Sequence, residues 1–289
     1  MLMSRFYDRC GDAMQIISIK FAWSNLSAIG SSYIAKCTIL APLVGYLVLY
    51  NDHLSQFFQL SSPLGELVSA REGVINKMHD ARMEFLYFGL FLFGVGVGVF
   101  NIFAPPSIKS SSGEVGFVEE RMKINTPVLL KNSLLSTLGS YLTNERWREY
   151  KGNGIAPNRF PTHITTIIHY LVETIYRNAD SDVQMDDRFT NTNLLNSELF
   201  RLETASGYID VIEVIDVMVS GRKIDWPISL SLLSAAEQHP KEVYAIEYLS
   251  SNYSHPYIRL LCAGTFAAGF LLLLLPNISV CLILLGLDF

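Results

Sequence analysis

Residues Phe85–Phe103 read FLYFGLFLFGVGVGVFNIF, nineteen residues without a charge, and Ala104-Pro105-Pro106 ends them. As a helix rising about 1.5 Å per residue, this stretch is roughly 28 Å long, close to the hydrocarbon thickness of a bilayer. It predicts a transmembrane helix, and hence a chain whose first partner is lipid. Its glycines follow a pattern. At about 100° per residue, Tyr87, Gly94, Gly98 and Asn101 fall on one narrow face. Gly94 and Gly98 form a Gly-x-x-x-Gly pair, which lets a second backbone approach closely in lipid. The Asn101 amide stands beside them, placed to bond across an interface. This face is the predicted seam for helix packing or self-association.

Two further segments extend the membrane reading. Residues 34–50 (IAKCTILAPLVGYLVLY) predict a first span, with Lys36 near its edge and Pro42 and Gly45 inside it. A lysine there reaches the headgroups along its own stem. Residues 51–84 then form a connector, and 34–104 read as a transmembrane hairpin. At the far end, Leu260–Leu287 carries no charge and is interrupted by Pro276-Asn277. Residues 257–289 are expected to be a third span, kinked at Pro276 or followed by a short separate piece. Ala263, Gly264, Ala267 and Ala268 give it a small-residue face, a candidate mate for Gly94 and Gly98.

Between the spans lies a different composition. Residues 105–113 (APPSIKSSSG from position 104) read as a linker. Residues 114–256 then read as a soluble helical domain of ordinary size. Thr126-Pro127 supplies a cap and a first-turn proline. Leu130, Leu134, Leu135, Leu138, Tyr141 and Leu142 follow at helical spacing. In 161–178, Ile164, Ile167, Ile168, Leu171, Val172 and Ile175 make an apolar stripe. Residues 205–219 are rich in β-branched side chains, which favours a strand. Yet Asp210, Glu213 and Asp216 recur every three residues, which keeps them together only on a helix. A helix is predicted there, and the acidic stripe is a candidate docking surface for a basic partner. Short helices at about 227–238 and 240–252 complete the bundle. The fold class is therefore all-α: an integral membrane protein with about three transmembrane helices and an intervening soluble helical bundle.

The amino-terminal residues 1–33 carry Arg5, Arg9 and Lys20, and residues 1–13 are too polar for a leader. Met14–Leu26 (MQIISIKFAWSNL) reads equally as an interfacial helix or as one packed on the protein. For orientation, residues 105–256 hold fourteen Lys and Arg, and none follows Arg259. The positive-inside rule then puts the amino terminus and soluble domain in the cytoplasm, and the connector and tail outside. A bacterial inner membrane is the expected location.

Chemistry is sparse. The net charge of −5 argues against direct nucleic-acid binding, which needs a basic face. Cys10, Cys37, Cys262 and Cys281 form no CxxC pair, so neither disulfides nor zinc are expected. His163 and His169 are six apart, on opposite sides of a helix, and no HExxH occurs. His169 and Glu173 predict an exposed i, i+4 pair. Asp180, Asp182, Asp186 and Asp187 lie in a predicted loop without the glycine and glutamate of a calcium hand. Lys151-Gly152-Asn153-Gly154 lacks the rest of a phosphate loop. No catalytic, cofactor or metal motif is present, and no cofactor is expected.

These features point to a membrane effector or signalling protein. Its cytosolic bundle senses a signal or partner, and its spans respond by reassembling, opening a pore or disturbing the bilayer. It is expected to form homo-oligomers or to pair with a cytosolic regulator. Compact bacterial antiviral systems, retron-associated ones among them, use membrane effectors of this plan, which is an analogy of architecture with no shared motif. The alternatives are an accessory subunit of a larger membrane complex, or a lipid-acting enzyme built on His163, His169 and Glu173.

Overall fold

The computed structural model describes residues 19–33, 72–111, 113–151, 159–183, 208–220 and 226–284. The predicted first span and most of its connector lie outside the described residues. The described residues are almost wholly helical and contain no strand, as an all-α reading requires. The chain divides into two compact units. One comprises Met1–Ala22 and Pro105–Pro256, the other Trp23–Ala104 and Tyr257–Phe289.

The second unit contains α1 (Trp23–Gly30), α2 (Glu72–Phe103) and α10 (Pro256–Leu284). Of the helix predicted over 14–26, residues 14–18 lie outside the described residues, and Ile19 and Lys20 are helical. A break at Phe21-Ala22 precedes Trp23, and α1 begins there. Trp23 is fully buried, edge-on to Phe100 of α2 with ring centres 6.0 Å apart. Gly30 is needed beside it: a Cβ there would lie 2.6 Å from the Phe100 ring. The quoted stretch 85–103 forms the last part of α2, and helix formation stops at Ala104 before the proline pair. The backbone of α10 stays helical through Pro276 to Leu284. By length and composition one described segment can cross a membrane, Pro256–Leu275, with mean hydropathy 2.1. Only 28% of it is buried in the protein, which is not the pattern of a soluble core helix. Tyr87–Phe103 is a shorter apolar helical stretch.

The first unit is a bundle of α3 (Pro106–Ser110), α4 (Glu114–Lys123), α5 (Pro127–Lys151), α6 (Thr162–Val183), α7 (Val211–Ser220), α8 (Trp226–Ala235), a 3-10 turn at Ala236–Gln238, and α9 (Pro240–Asn252). The segment read as a linker folds into α3, and its Ile108 is buried. Helix α9 is the hub and packs on α3, α4, α5 and α6. That is why Val243, Tyr244, Ile246 and Tyr248 are buried on more than one of its sides. Glu247 ties three helices together, accepting from Arg121 of α4 at 2.9 Å and from Ser133 of α5 at 2.6 Å. Helix α5 starts as its sequence predicts, with Thr126 Oγ1 accepting from the Leu129 amide. On α6, Ile164, Ile168, Leu171, Val172 and Ile175 are buried, but Ile167 is 40% exposed. Ile167 sits about 60° round from Ile164 on the far edge of the stripe, so it stays outside the core. Helix α6 runs to Val183, so Asp180 and Asp182 belong to its last turns and not to a loop.

Candidate functional site

In the second unit, α2 and α10 approach until their backbones touch. A Cβ at Gly269 would lie 2.8 Å from the Phe93 amide nitrogen and 2.9 Å from the Gly89 carbonyl oxygen. Gly89 faces Leu273 and Gly269, and Gly96 faces Phe266 and Thr265. Rising residue numbers on one helix meet falling numbers on the other, so the pair is antiparallel. Phe93 and Phe266 stack at 5.0 Å, and the Cys262 thiol donates to the Gly96 carbonyl at 3.4 Å. Thr265 satisfies its hydroxyl on the Cys262 carbonyl. Glycine here does what it does in lipid, letting dispersion contacts form between main chains.

The predicted seam lies elsewhere on α2. At about 100° per residue, Gly94 and Gly98 fall roughly 140–180° around from Gly89. A Cβ at Gly98 would meet no atom within 4 Å, and the same holds for Gly264 on α10. Tyr87 is half-buried with its ring edge-on to Phe88, and Asn101 is exposed. Ala263 is buried, Ala267 exposed and Ala268 half-buried. Gly98 and Gly264 therefore take no part in the close approach of α2 and α10. Gly89 and Gly96 form it, and their spacing of seven, two turns on one face, is the signal that could have found them.

In the helical unit the acidic stripe is engaged. Asp210 caps α7, its Oδ1 accepting from the Ile212 and Glu213 amides at 3.1 and 3.2 Å. Asp216 pairs with Arg146 of α5 at 2.8 Å. Glu213 is half-buried between them in sequence. The expected His169–Glu173 pair gives way to two others. Glu173 holds Arg177 at 2.7 Å, and His169 Nε2 shares a 2.8 Å hydrogen bond with the Tyr141 hydroxyl. His163 is exposed and its ring contacts Tyr253, so His163, His169 and Glu173 do not converge. Among the described residues, no three His, Cys, Asp or Glu side chains are grouped to hold a metal.

Tyr141, His169 and Phe160 form a compact polar–aromatic knot, with Phe160 edge-on to Tyr141 at 5.3 Å. Burial, reinforced by Glu145, pushes the Tyr141 phenol up to about 12. Burial also holds His169 below the usual histidine value, with Glu145 pulling weakly the other way. Both groups are thus kept neutral, and a neutral pair satisfies one hydrogen bond without burying charge. The folded chain resists a proton that the unfolded chain accepts below pH about 6.5. The His169 contribution is therefore constant above that pH and is lost as pH falls from there through the lowered folded value. The His169→Gln variant is expected to lose less stability than wild type between pH 6.5 and 5, measured as melting temperature against pH. Parallel curves would contradict this assignment.

Comparison with known protein families, with characterised proteins and with solved structures gives no match.

Proposed function

We propose that this chain is a non-catalytic membrane effector whose helical unit receives a signal and whose apolar helices respond by associating with other copies. The observation that carries the reading is the two-sidedness of α2. One side is consumed by α10 through Gly89 and Gly96, while Gly98 on the opposite side meets nothing within 4 Å of an added Cβ. The surroundings support a lipid setting, since Phe88, Leu261, Phe270 and Leu271 are all more than half exposed. An apolar surface this rich in Phe and Leu costs free energy in water and none in hydrocarbon. Antiparallel packing also brings the end of α2 beside the start of α10, the two points where the chain passes to and from the helical unit. A rearrangement of that unit then acts on both helices at one end. In this reading residues 34–50 add a third span, the helical unit is cytoplasmic, and the setting is a bacterial inner membrane of the kind used by antiviral effectors.

The test is inducible expression with a potential-sensitive dye, with no other protein supplied. Wild type is expected to depolarise cells, and the Gly94→Leu/Gly98→Leu double variant to insert normally but not depolarise. Unchanged depolarisation in that variant would remove the seam from the mechanism. No depolarisation by wild type would transfer support to an accessory subunit of a larger complex.

A further inference from the structure

The helical unit carries an open groove of about 640 Å³ along α5, within the range of roughly 300–1,000 Å³ that small-molecule sites occupy. Its long wall is a single stripe of that helix that includes Ser136, Gly139, Ser140, Asn144 and Trp147, and Arg159 closes it. From Ser136 to Trp147 the stripe covers about 16 Å at the helical rise. Gly139 sets the floor, because it has no side chain and Val219 of α7 passes at ordinary contact distance from where one would be, 3.6 Å.

Arg159 is the unusual member. Its Nε is buried and has no hydrogen-bond partner. Its guanidinium carbon stands 5.6 Å from the Phe160 ring centre, so the ring fixes the group without neutralising it. Arg121, Arg146, Arg148 and Arg177 each hold a carboxylate. Among the described residues Arg159 holds none. A half-buried guanidinium without an anion is unused binding capacity, and its planar fork suits the two oxygens of a phosphate. Two acids of the flanking helices, Asp216 and Glu145, are held by Arg146 and Arg148. Trp147 offers a ring 56% exposed to solvent, a face on which a planar base stacks. Ser136, Ser140 and Asn144 supply the hydroxyl and amide groups that a sugar needs.

We propose that this groove binds a nucleotide, its phosphate on Arg159, its sugar along Ser136, Ser140 and Asn144, and its base against Trp147. The inference rests on reading the helical unit as the sensing part, and it gives that unit a chemical class of signal.

The experiment is equilibrium binding to the full-length chain in detergent, using AMP, ATP, GTP, cyclic AMP and inorganic phosphate as probes. At least one nucleotide is expected to bind saturably, and more tightly than inorganic phosphate. Arg159→Gln should weaken it at least tenfold. Gly139→Leu fills the floor while leaving Arg159 in place, and should also weaken it at least tenfold, which decides the matter if Arg159→Gln misfolds. Absence of saturable binding by every nucleotide, phosphate binding as tight as any nucleotide, or wild-type affinity in a folded Gly139→Leu variant would each overturn the proposal. Depolarisation is read separately. Absent nucleotide binding with intact depolarisation refutes the groove alone, and nucleotide binding without depolarisation refutes the effector reading alone.

Discussion

Replacing Gly269 with leucine is expected to drive α2 and α10 apart. The added Cβ would fall 2.8 Å from the Phe93 nitrogen and 2.9 Å from the Gly89 oxygen. Both are main-chain atoms, so no rotamer change relieves the overlap, and the rest of the leucine has no room either. The helices must separate, and the Phe93–Phe266 stack and the Cys262–Gly96 contact are lost with them. Overpacking in ordinary cores costs about 1–3 kcal/mol, and a clash against backbone belongs at or above the upper end. Cys262, fully buried, is the reporter. In detergent, heating exposes it to a maleimide, and the labelled peptide is quantified by mass spectrometry. The midpoint should drop by on the order of 10 °C in Gly269→Leu, as a destabilisation of about 3 kcal/mol implies. It should stay within about 2 °C of wild type in Gly98→Leu, whose added side chain meets open space, since about 1 kcal/mol would be needed to move it further. Equal midpoints for Gly269→Leu and wild type would show that these glycines do not hold the pair.

A second large effect separates neighbours on α6. Ile168 is fully buried and Ile167 is 40% exposed, although both belong to the same apolar stripe in sequence. Truncating a buried isoleucine removes its transfer free energy and leaves a cavity, costing about 2–5 kcal/mol. Ile168→Ala is therefore expected to destabilise the helical unit by about 3 kcal/mol, a fall of roughly 6–12 °C in melting temperature for a unit this size. Ile167→Ala should cost less than about 0.5 kcal/mol net, because its side chain is already partly wet. Circular dichroism melts of the two variants check this. Comparable losses would place Ile167 inside the core and refute the orientation of α6.

How much of this was legible in sequence follows from which forces are local. The helices of the bundle were legible, because Thr126-Pro127 marks a start and the 164–175 stripe has an unbroken helical period. The 211–220 helix was legible against its β-branched content, because three acids at a spacing of three fit only one periodicity. Partners were not legible. His169 chose Tyr141 on α5 over Glu173 on its own helix, since the bundle buries it and Arg177 supplies Glu173 with a full charge. Asp210 was taken up by a helix end and Asp216 by α5, both consequences of where α7 packs. The Pro/Ser-rich stretch after Ala104 reads as a linker by composition, and the single apolar side chain of Ile108 docks it instead.

The same limit governs α2 and α10. Sequence announces that glycines line α2, and a spacing of four draws the eye to Gly94 and Gly98. The close approach to α10 falls on Gly89 and Gly96, because that face also presents Phe93 to Phe266. Arg159 illustrates the opposite case. Nothing in its sequence neighbourhood singles it out, and it becomes conspicuous only once every other described arginine of the unit is seen with a carboxylate.

The proposed self-association through the Gly98 face of α2 is most directly tested by disulfide crosslinking in native membranes. Gly98→Cys lies on that face, and Phe88→Cys is an exposed control about 80° around the helix and roughly three turns away along it. Under mild oxidation, Gly98→Cys is expected to give a covalent dimer well above the level produced by the chain's own cysteines, and Phe88→Cys is not. Dimer at neither position, or equally at both, would contradict a specific seam between copies.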